Sequence, residues 1–456
     1  MYCLSTQGGT AIDVSSEFAV VHCCGCQTRA VKFTPLFRVV AARLISRTGS
    51  EAAFFVGIWG KLAYELEGDA ADIAFVLGTA GVTALIGSAV AGTLVDRFGP
   101  KRVLITAEIL FVPSVLSALL VDTVPQFALV VGLFALTSAP AFTAIASLPP
   151  FLTTDQHRLG RMNALIEGAG MAALITGSAA GAALVALFSL DSIFILDAVT
   201  SVIAVAMLVT LPLVTEDVDT ERMKGSGWSE LRAGVAYSWN DLRLRFYLGM
   251  GASVWLIFGL FTALEPLFFR DVLGVGPEMI GWVNTLLGLG LVGGTLLAGR
   301  FADRLQSARS VVVLLALNGL GTLIYAGTTS LVVVAAGGAV WGLVIGLFAP
   351  AVRTMLHINS PKPMVGRVMG TSQALGEIAK LGPLVAAPAL ATLFGVQQTL
   401  AASGIVLVAI GVISWRTGRR LDLTRGMVTP PEDVGIHVPT PVSGSADRFP
   451  PNPIER

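Results

Sequence analysis

The stretch Ala91-Gly92-Thr93-Leu94-Val95-Asp96-Arg97-Phe98-Gly99-Pro100-Lys101-Arg102 closes one long apolar run and opens the next. A carboxylate, three cations and two glycines crowd the junction of two runs that hold almost no charge elsewhere, the pattern of a chain turning back at a membrane surface. Gly92 lets helix backbones approach, Gly99 permits a tight turn, and Asp96 and Arg97 fall where a carboxylate meets an arginine or the positive N-terminus of a facing helix. Composition agrees: of the 456 residues 54% are apolar and only 13% charged, which excludes a soluble multidomain enzyme. Lys plus Arg and Asp plus Glu are both 30, so no basic excess points to nucleic acid.

A bilayer core about 30 Å thick needs roughly 20 apolar residues per helix. Twelve such windows follow one another, at 36–62, 73–95, 102–122, 126–150, 162–187, 190–213, 246–269, 278–299, 309–328, 331–356, 367–393 and 397–416. Segments this long must be helical, because a barrel would show alternating segments of about ten residues. The expected fold is an all-α integral membrane protein of twelve transmembrane helices. Of the 30 lysines and arginines, only Lys61 and Arg270 fall at one end of the spans and Arg43, Arg47 and Lys380 within them; the rest fall at the other end. The positive-inside rule places that end, and both termini, in the cytoplasm.

The chain repeats itself. Ala298-Gly299-Arg300-Phe301-Ala302-Asp303-Arg304 echoes Ala91 to Arg97 at an offset of 207. Ala139-Pro140-Ala141 returns as Ala349-Pro350-Ala351, and Gly160-Arg161 returns as Gly366-Arg367. Three landmarks in order indicate two six-helix pseudo-repeats, 36–213 and 246–416, with ligands expected between them. The joining segment 214–245 opens with Glu216, Asp217, Asp219 and Glu221 and continues into an amphipathic stretch from Trp228. Residues 1–35 read as an extension, and the Pro-rich tail 417–456 lacks apolar periodicity. Cys3, Cys23, Cys24 and Cys26 all lie in that extension, so no disulfide framework or paired metal spacing supports the core.

Gly92 to Arg102 resembles the signature between the second and third helices of the major facilitator superfamily, and the joining helix and Gly366-Arg367 look most like its macrolide and multidrug efflux branch. Pro100 departs by replacing a commonly basic residue, and the second copy has Gln306 where a glycine would stand. The resemblance implies the major facilitator fold and an inner latch, closed in the outward-open state, built on Gly92, Asp96, Arg97, Gly99, Lys101 and Arg102, with Asp303 and Arg304 in the second copy. It also implies alternating access, with a small amphiphilic molecule as substrate, the proton gradient as driving force and no cofactor, in a monomer of the cell membrane.

Charges inside spans are expensive and face cavities or partners. Arg43, Arg47 and Glu51 form one stripe at four-residue spacing, and Glu377 and Lys380 share a face on the eleventh span. A coupling carboxylate must be alternately buried and hydrated, because desolvation favours its protonated form. Glu51 and Glu377 lead as candidates, followed by Glu108 and Glu167, with Asp197 and Glu265 weaker because they fall toward the other end. Arg43 is expected to snorkel toward headgroups. Phe54, Phe55, Trp59, Trp255, Phe258 and Trp341 are candidate cavity walls, with helix packing the commoner role for any one of them. His157 and His357 have no nucleophile or metal spacing beside them and there is no phosphate-binding loop, so an enzyme is not expected. Proton-coupled export of amphiphilic drugs is the leading reading. The alternatives are a dedicated metabolite or siderophore exporter or importer, and a transport-inactive sensor or assembly partner.

Overall fold

The computed structural model describes residues 35–152, 156–211, 235–361 and 364–425, and among these there is no strand. The helices are α1 (Pro35–Ala52, prolonged by π-helical turns at Ala53–Ile58 and Lys61–Glu65), α2 (Ala70–Phe98), α3 (Pro100–Leu116), α4 (Val124–Ser147), α5 (Gln156–Leu187) and α6 (Asp191–Val209). After the joining segment come α7 (Leu242–Leu267, with a π-helical turn at Phe268–Val272), α8 (Pro277–Arg300), α9 (Ala308–Ala326), α10 (Leu331–Ile358), α11 (Val365–Phe394) and α12 (Val396–Arg425). The four cysteines, the acidic run from Glu216, Trp228 and the Pro-rich tail beyond Arg425 lie outside the described residues.

Local chemistry sets the ends. Asp69 accepts from the Ala71 and Asp72 amides while Asp72 returns a bond to the Asp69 amide, a capping box that starts α2. Gly99, at φ 79°, makes the turn into Pro100 at the first position of α3. Asp241 caps α7 through the Arg243 and Leu244 amides, separating it from a helical turn at 235–240. α12 runs past the expected 416 because its polar last turns are used: Asp422 accepts from the Ala308 and Arg309 amides and starts α9.

Eleven of the twelve are long and apolar enough to cross a bilayer, and α1 is the exception. It carries Arg38, Arg43, Arg47 and Glu51, yet it is wrapped by protein, with Val39, Ala52, Val56 and Leu62 all fully buried. α1 packs against α5 and α6, and glycines make this close. A Cβ on Gly49 would stand 2.8 Å from the Asp197 Cα, and one on Gly177 2.5 Å from the Thr48 carbonyl oxygen. In the second half α8 and α10 interlock: a Cβ on Gly342 would lie 2.0 Å from Leu287 O, and one on Gly290 2.0 Å from Ala339 O.

The two halves meet at the end opposite the basic loops, here called the far end. Tyr64 Oη donates to Val275 O at 2.8 Å, and Arg270 Nη1 donates to Ala63 O at 2.5 Å and to Gly68 O at 3.0 Å. Gly60 abuts Pro277, and Gly281 on α8 lies against Val56 and Ala182. Toward the basic end, Gly92, Gly168, Gly293, Gly366 and Gly370 have nothing within 4 Å of where a Cβ would point.

These contacts predict unequal tolerance of one added methyl. Gly342→Ala should cost roughly 1–3 kcal/mol by overpacking, read as a lower unfolding temperature in detergent, whereas Gly293→Ala should leave that temperature unchanged.

Candidate functional site

Two adjoining cavities lie against the inner face of the first half. The one nearer the basic end, 280 Å³, is lined by Arg43, Ser46, Glu108, Ser88, Thr143 and Phe142 among others. The other, 560 Å³, is mainly apolar, with Phe54, Phe55, Leu77, Phe134, Leu174 and Trp255 in its wall. Arg47, Ser50, Phe111, Ala135 and Ser138 line both and join them into one amphipathic space. Trp255 belongs to α7, so both halves contribute.

The α1 stripe supplies the polar wall. Arg47 Nη2 and Glu51 Oε1 pair at 2.5 Å along the helix. The residues just before each of these, Ser46 and Ser50, bond to neighbouring helices: Ser46 Oγ donates to Glu108 Oε1 at 3.0 Å and Ser50 Oγ donates to Asp197 Oδ1 at 3.2 Å. α1 is thereby tied to α3 and α6 through two serines. Asp197 is fully buried, its Oδ2 has no hydrogen-bond partner among the described residues, and it lines the larger cavity with Glu51. Depth along α6 suggested a weaker candidate; the close α1–α6 packing at Gly49 brings it into the group.

Arg43 does not snorkel. Its guanidinium carbon stands 5.3 Å from the centre of the Phe142 ring on α4, inside the smaller cavity. α4 and α1 face each other across that space, so the short path for the side chain leads inward. Glu377 and Lys380 pair at 2.7 Å, and Lys380 Nζ lies 5.7 Å from the Trp255 ring centre. The two charged stripes therefore approach through Trp255 and make no direct bond. Glu167 stands exposed and does not line either cavity, though its charge reaches Arg43. Of the proposed aromatic walls, Phe54, Phe55 and Trp255 line the cavity, whereas Trp59 and Trp341 are 2% exposed and serve packing.

The junction motif divides into two parts. Asp96, Arg97 and Arg102 are exposed, with Arg97 over the Phe98 ring at 5.4 Å, and Asp96 has no ion pair among the described residues. Lys101 instead donates to Val209 O at 3.1 Å and Leu211 O at 2.6 Å, while Arg38 Nη1 donates to Thr210 O at 2.8 Å. Two cations thus satisfy the carbonyls that the end of α6 leaves open. Asp303 and Arg304 are also exposed, Arg304 over Phe301 at 5.6 Å.

At the far end Lys61 turns into its own half, 3.0 Å from Asp191 and 3.2 Å from Glu65. Burial pushes the Tyr64 phenol up, which keeps it a donor to Val275. In the second half Tyr325 Oη donates to Glu265 Oε1 at 2.5 Å inside a fully packed region of α7 and α9, so Glu265 lies outside the cavity.

The family description Major Facilitator Superfamily matches residues 39–379 and 246–436. The chain is 30% identical over 415 residues to the multidrug efflux pump Tap of Mycobacterium tuberculosis (strain ATCC 25618 / H37Rv), covering 85% of this chain and 95% of that protein. It is 26% identical over 352 residues to the 3-(3-hydroxy-phenyl)propionate transporter of Escherichia coli (strain K12), covering 73% and 82%. The crystal structure of the nucleoside transporter NupG superposes with a TM-score of 0.66 at 13% identity, over 85% of this chain and 98% of that one, a likeness of fold. With the family running through both halves and an efflux pump matched along most of the length, this chain belongs to the major facilitator superfamily, as a multi-pass membrane transporter of small molecules and not an enzyme.

Proposed function

We propose that this protein exports amphiphilic small organic molecules in exchange for protons, by alternating access. The observation that carries the reading is the cavity itself. One wall holds Arg43, Arg47, Glu51 and Glu108, the other wall is aromatic, and the far ends of the two halves close over it through Arg270 and Tyr64. An amphiphile matches such a space, because its apolar body meets Phe54, Phe134 and Trp255 while a polar group reaches the α1 stripe. The likeness to a multidrug efflux pump supports export.

The basic end is cytoplasmic in this reading, with both termini on that side, and the cavity loads from there. Glu51, which lines the larger cavity with Asp197, and Glu377, beside Lys380, are the coupling carboxylates, with Glu108 next in line. Arg47 and Lys380 supply the cations that a deprotonated carboxylate needs nearby. Asp96, Arg97 and Gly99, with Asp303 and Arg304, form the latch of the opposite arrangement, in which the basic ends close and the far-end contacts part. Lys101 supports the latch by anchoring the end of α6, which leads into the joining segment. The transporter works as a monomer, without a cofactor, on the proton gradient.

Three outcomes follow. An efflux-deficient host expressing the protein should accumulate less of at least one amphiphile in a fluorescent or radiolabelled panel, and a protonophore should restore accumulation. Equal accumulation across the panel, with the protein present in the membrane, would overturn energised export. Glu51→Gln and Glu377→Gln should abolish uphill transport while downhill exchange persists; uphill transport retained in both removes the coupling assignment. Asp96→Asn should lower turnover about tenfold with the apparent substrate affinity nearly intact, since a latch acts on the conformational step. Unchanged turnover sinks the latch.

A further inference from the structure

We propose that the smaller cavity is a subsite for an anionic head group read by Arg43, so that the preferred cargo is a carboxylate joined to an aromatic or other apolar body. This rests on the cavity being the substrate site.

The inference follows from which ionisable groups in the space already have a hydrogen-bond or ion-pair partner. Glu51 is paired with Arg47, Glu108 accepts from Ser46, and Asp197 accepts from Ser50. Arg43 alone among the ionisable groups lining the two cavities has neither hydrogen bond nor ion pair among the described residues, and its Nε is buried without a partner. Its contact with the Phe142 ring is the weak kind of compensation a π-face gives a cation. A guanidinium presents parallel N–H donors that fit a carboxylate in a bidentate pair, and such pairs are stronger and more directional than a single bond.

The surroundings favour the same head group. The Ser88 and Thr143 hydroxyls line the same compartment and add donors beside Arg43. The apolar part of the space begins at Phe111 and Phe134, whose ring centres are 5.7 Å apart, and continues to Phe55 and Trp255. A carboxylate on Arg43 therefore places its apolar body in the larger cavity, with the neutralised Arg47–Glu51 pair between the two compartments. A cationic head in the same place would meet the Arg43 guanidinium, with Glu108, which accepts from Ser46, as the one carboxylate lining the smaller compartment.

The test uses the full-length protein purified in detergent and three probes of one shape and different charge: phenylbutyrate, phenylbutanol and phenylbutylamine, with binding read from thermal stabilisation over a concentration series. The carboxylate should bind the wild type roughly ten- to a hundred-fold more tightly than the alcohol or the amine, as one charge-assisted pair provides. In Arg43→Gln the carboxylate should fall to the level of the alcohol, whose own affinity stays put, and Arg43→Lys should keep part of the preference. An amine bound as tightly as the carboxylate, or a carboxylate preference that persists in Arg43→Gln, overturns the anionic subsite and leaves the proposed transport reading standing. If Arg43→Gln does not fold, the ranking in the wild type and in Arg43→Lys decides. No stabilisation by any of the three removes the cavity as a substrate site, and this proposal with it.

Discussion

Hydrocarbon offers a charged side chain no water, and a single Arg or Asp at the centre of a spanning helix costs about 2.5–3.5 kcal/mol on insertion scales. α1 carries three such groups in its central turns, Arg43, Arg47 and Glu51, and the arrangement of the first half follows from meeting that cost. The stripe is turned away from lipid, Arg47 and Glu51 neutralise each other along the helix, and neighbouring serines bond to carboxylates on α3 and α6. For the stripe to lie so deep, α1 must touch α5 and α6 backbone to backbone, which Gly49 and Gly177 allow. The cavity is the space left between this charged face and α4, a helix with no charged side chain of its own.

Within each half the packing is tight and largely independent of charge. Gly342 against Leu287 in α8 and α10, and Gly319 against Gly404 in α9 and α12, bring main chains together in the absence of any hydrophobic drive between helices in lipid. Among the described residues, the polar bonds between the halves are few and gathered at one end. This division of strength suits two bodies that rock against each other around a site between them. The π-helical turns at the ends of α1 and α7 place Lys61, Tyr64 and Arg270 where the halves meet, a recurring use of irregular helix at working parts of a structure.

Much of this was legible in the residues. The spans, the repeat, the turn at Gly99 and the pairing of Arg47 with Glu51 and of Glu377 with Lys380 depend only on spacing and on the period of a helix. The surroundings of Asp197 and Arg43 are not legible in the sequence, for one reason: the depth of a residue in the membrane says nothing about which neighbour it faces. Asp197 joins the cavity because Gly49 admits α6, and Arg43 turns inward because Phe142 stands across from it. The role of Arg38 and Lys101 at the end of α6 was hidden likewise. Basic residues near a membrane surface read as topology signals, and the open carbonyls they satisfy lie some hundred residues away or more in the chain. A terminal cation beside a helix C-terminus was the available clue.

The far-end bond between Arg270 and Ala63 spans 207 residues, the same offset that relates the two copies of the junction motif. Arg270 thus grips the backbone at its own counterpart position in the other repeat. Were the halves identical, two guanidinium groups would converge on the pseudo-twofold axis and repel each other. Instead, the first repeat has a small residue there and keeps its cation at Lys61, folded back onto Asp191. Joining the copies in one polypeptide removed the requirement that both sides of the axis carry the same residue. The closure described above joins unlike residues at matching positions of the two repeats.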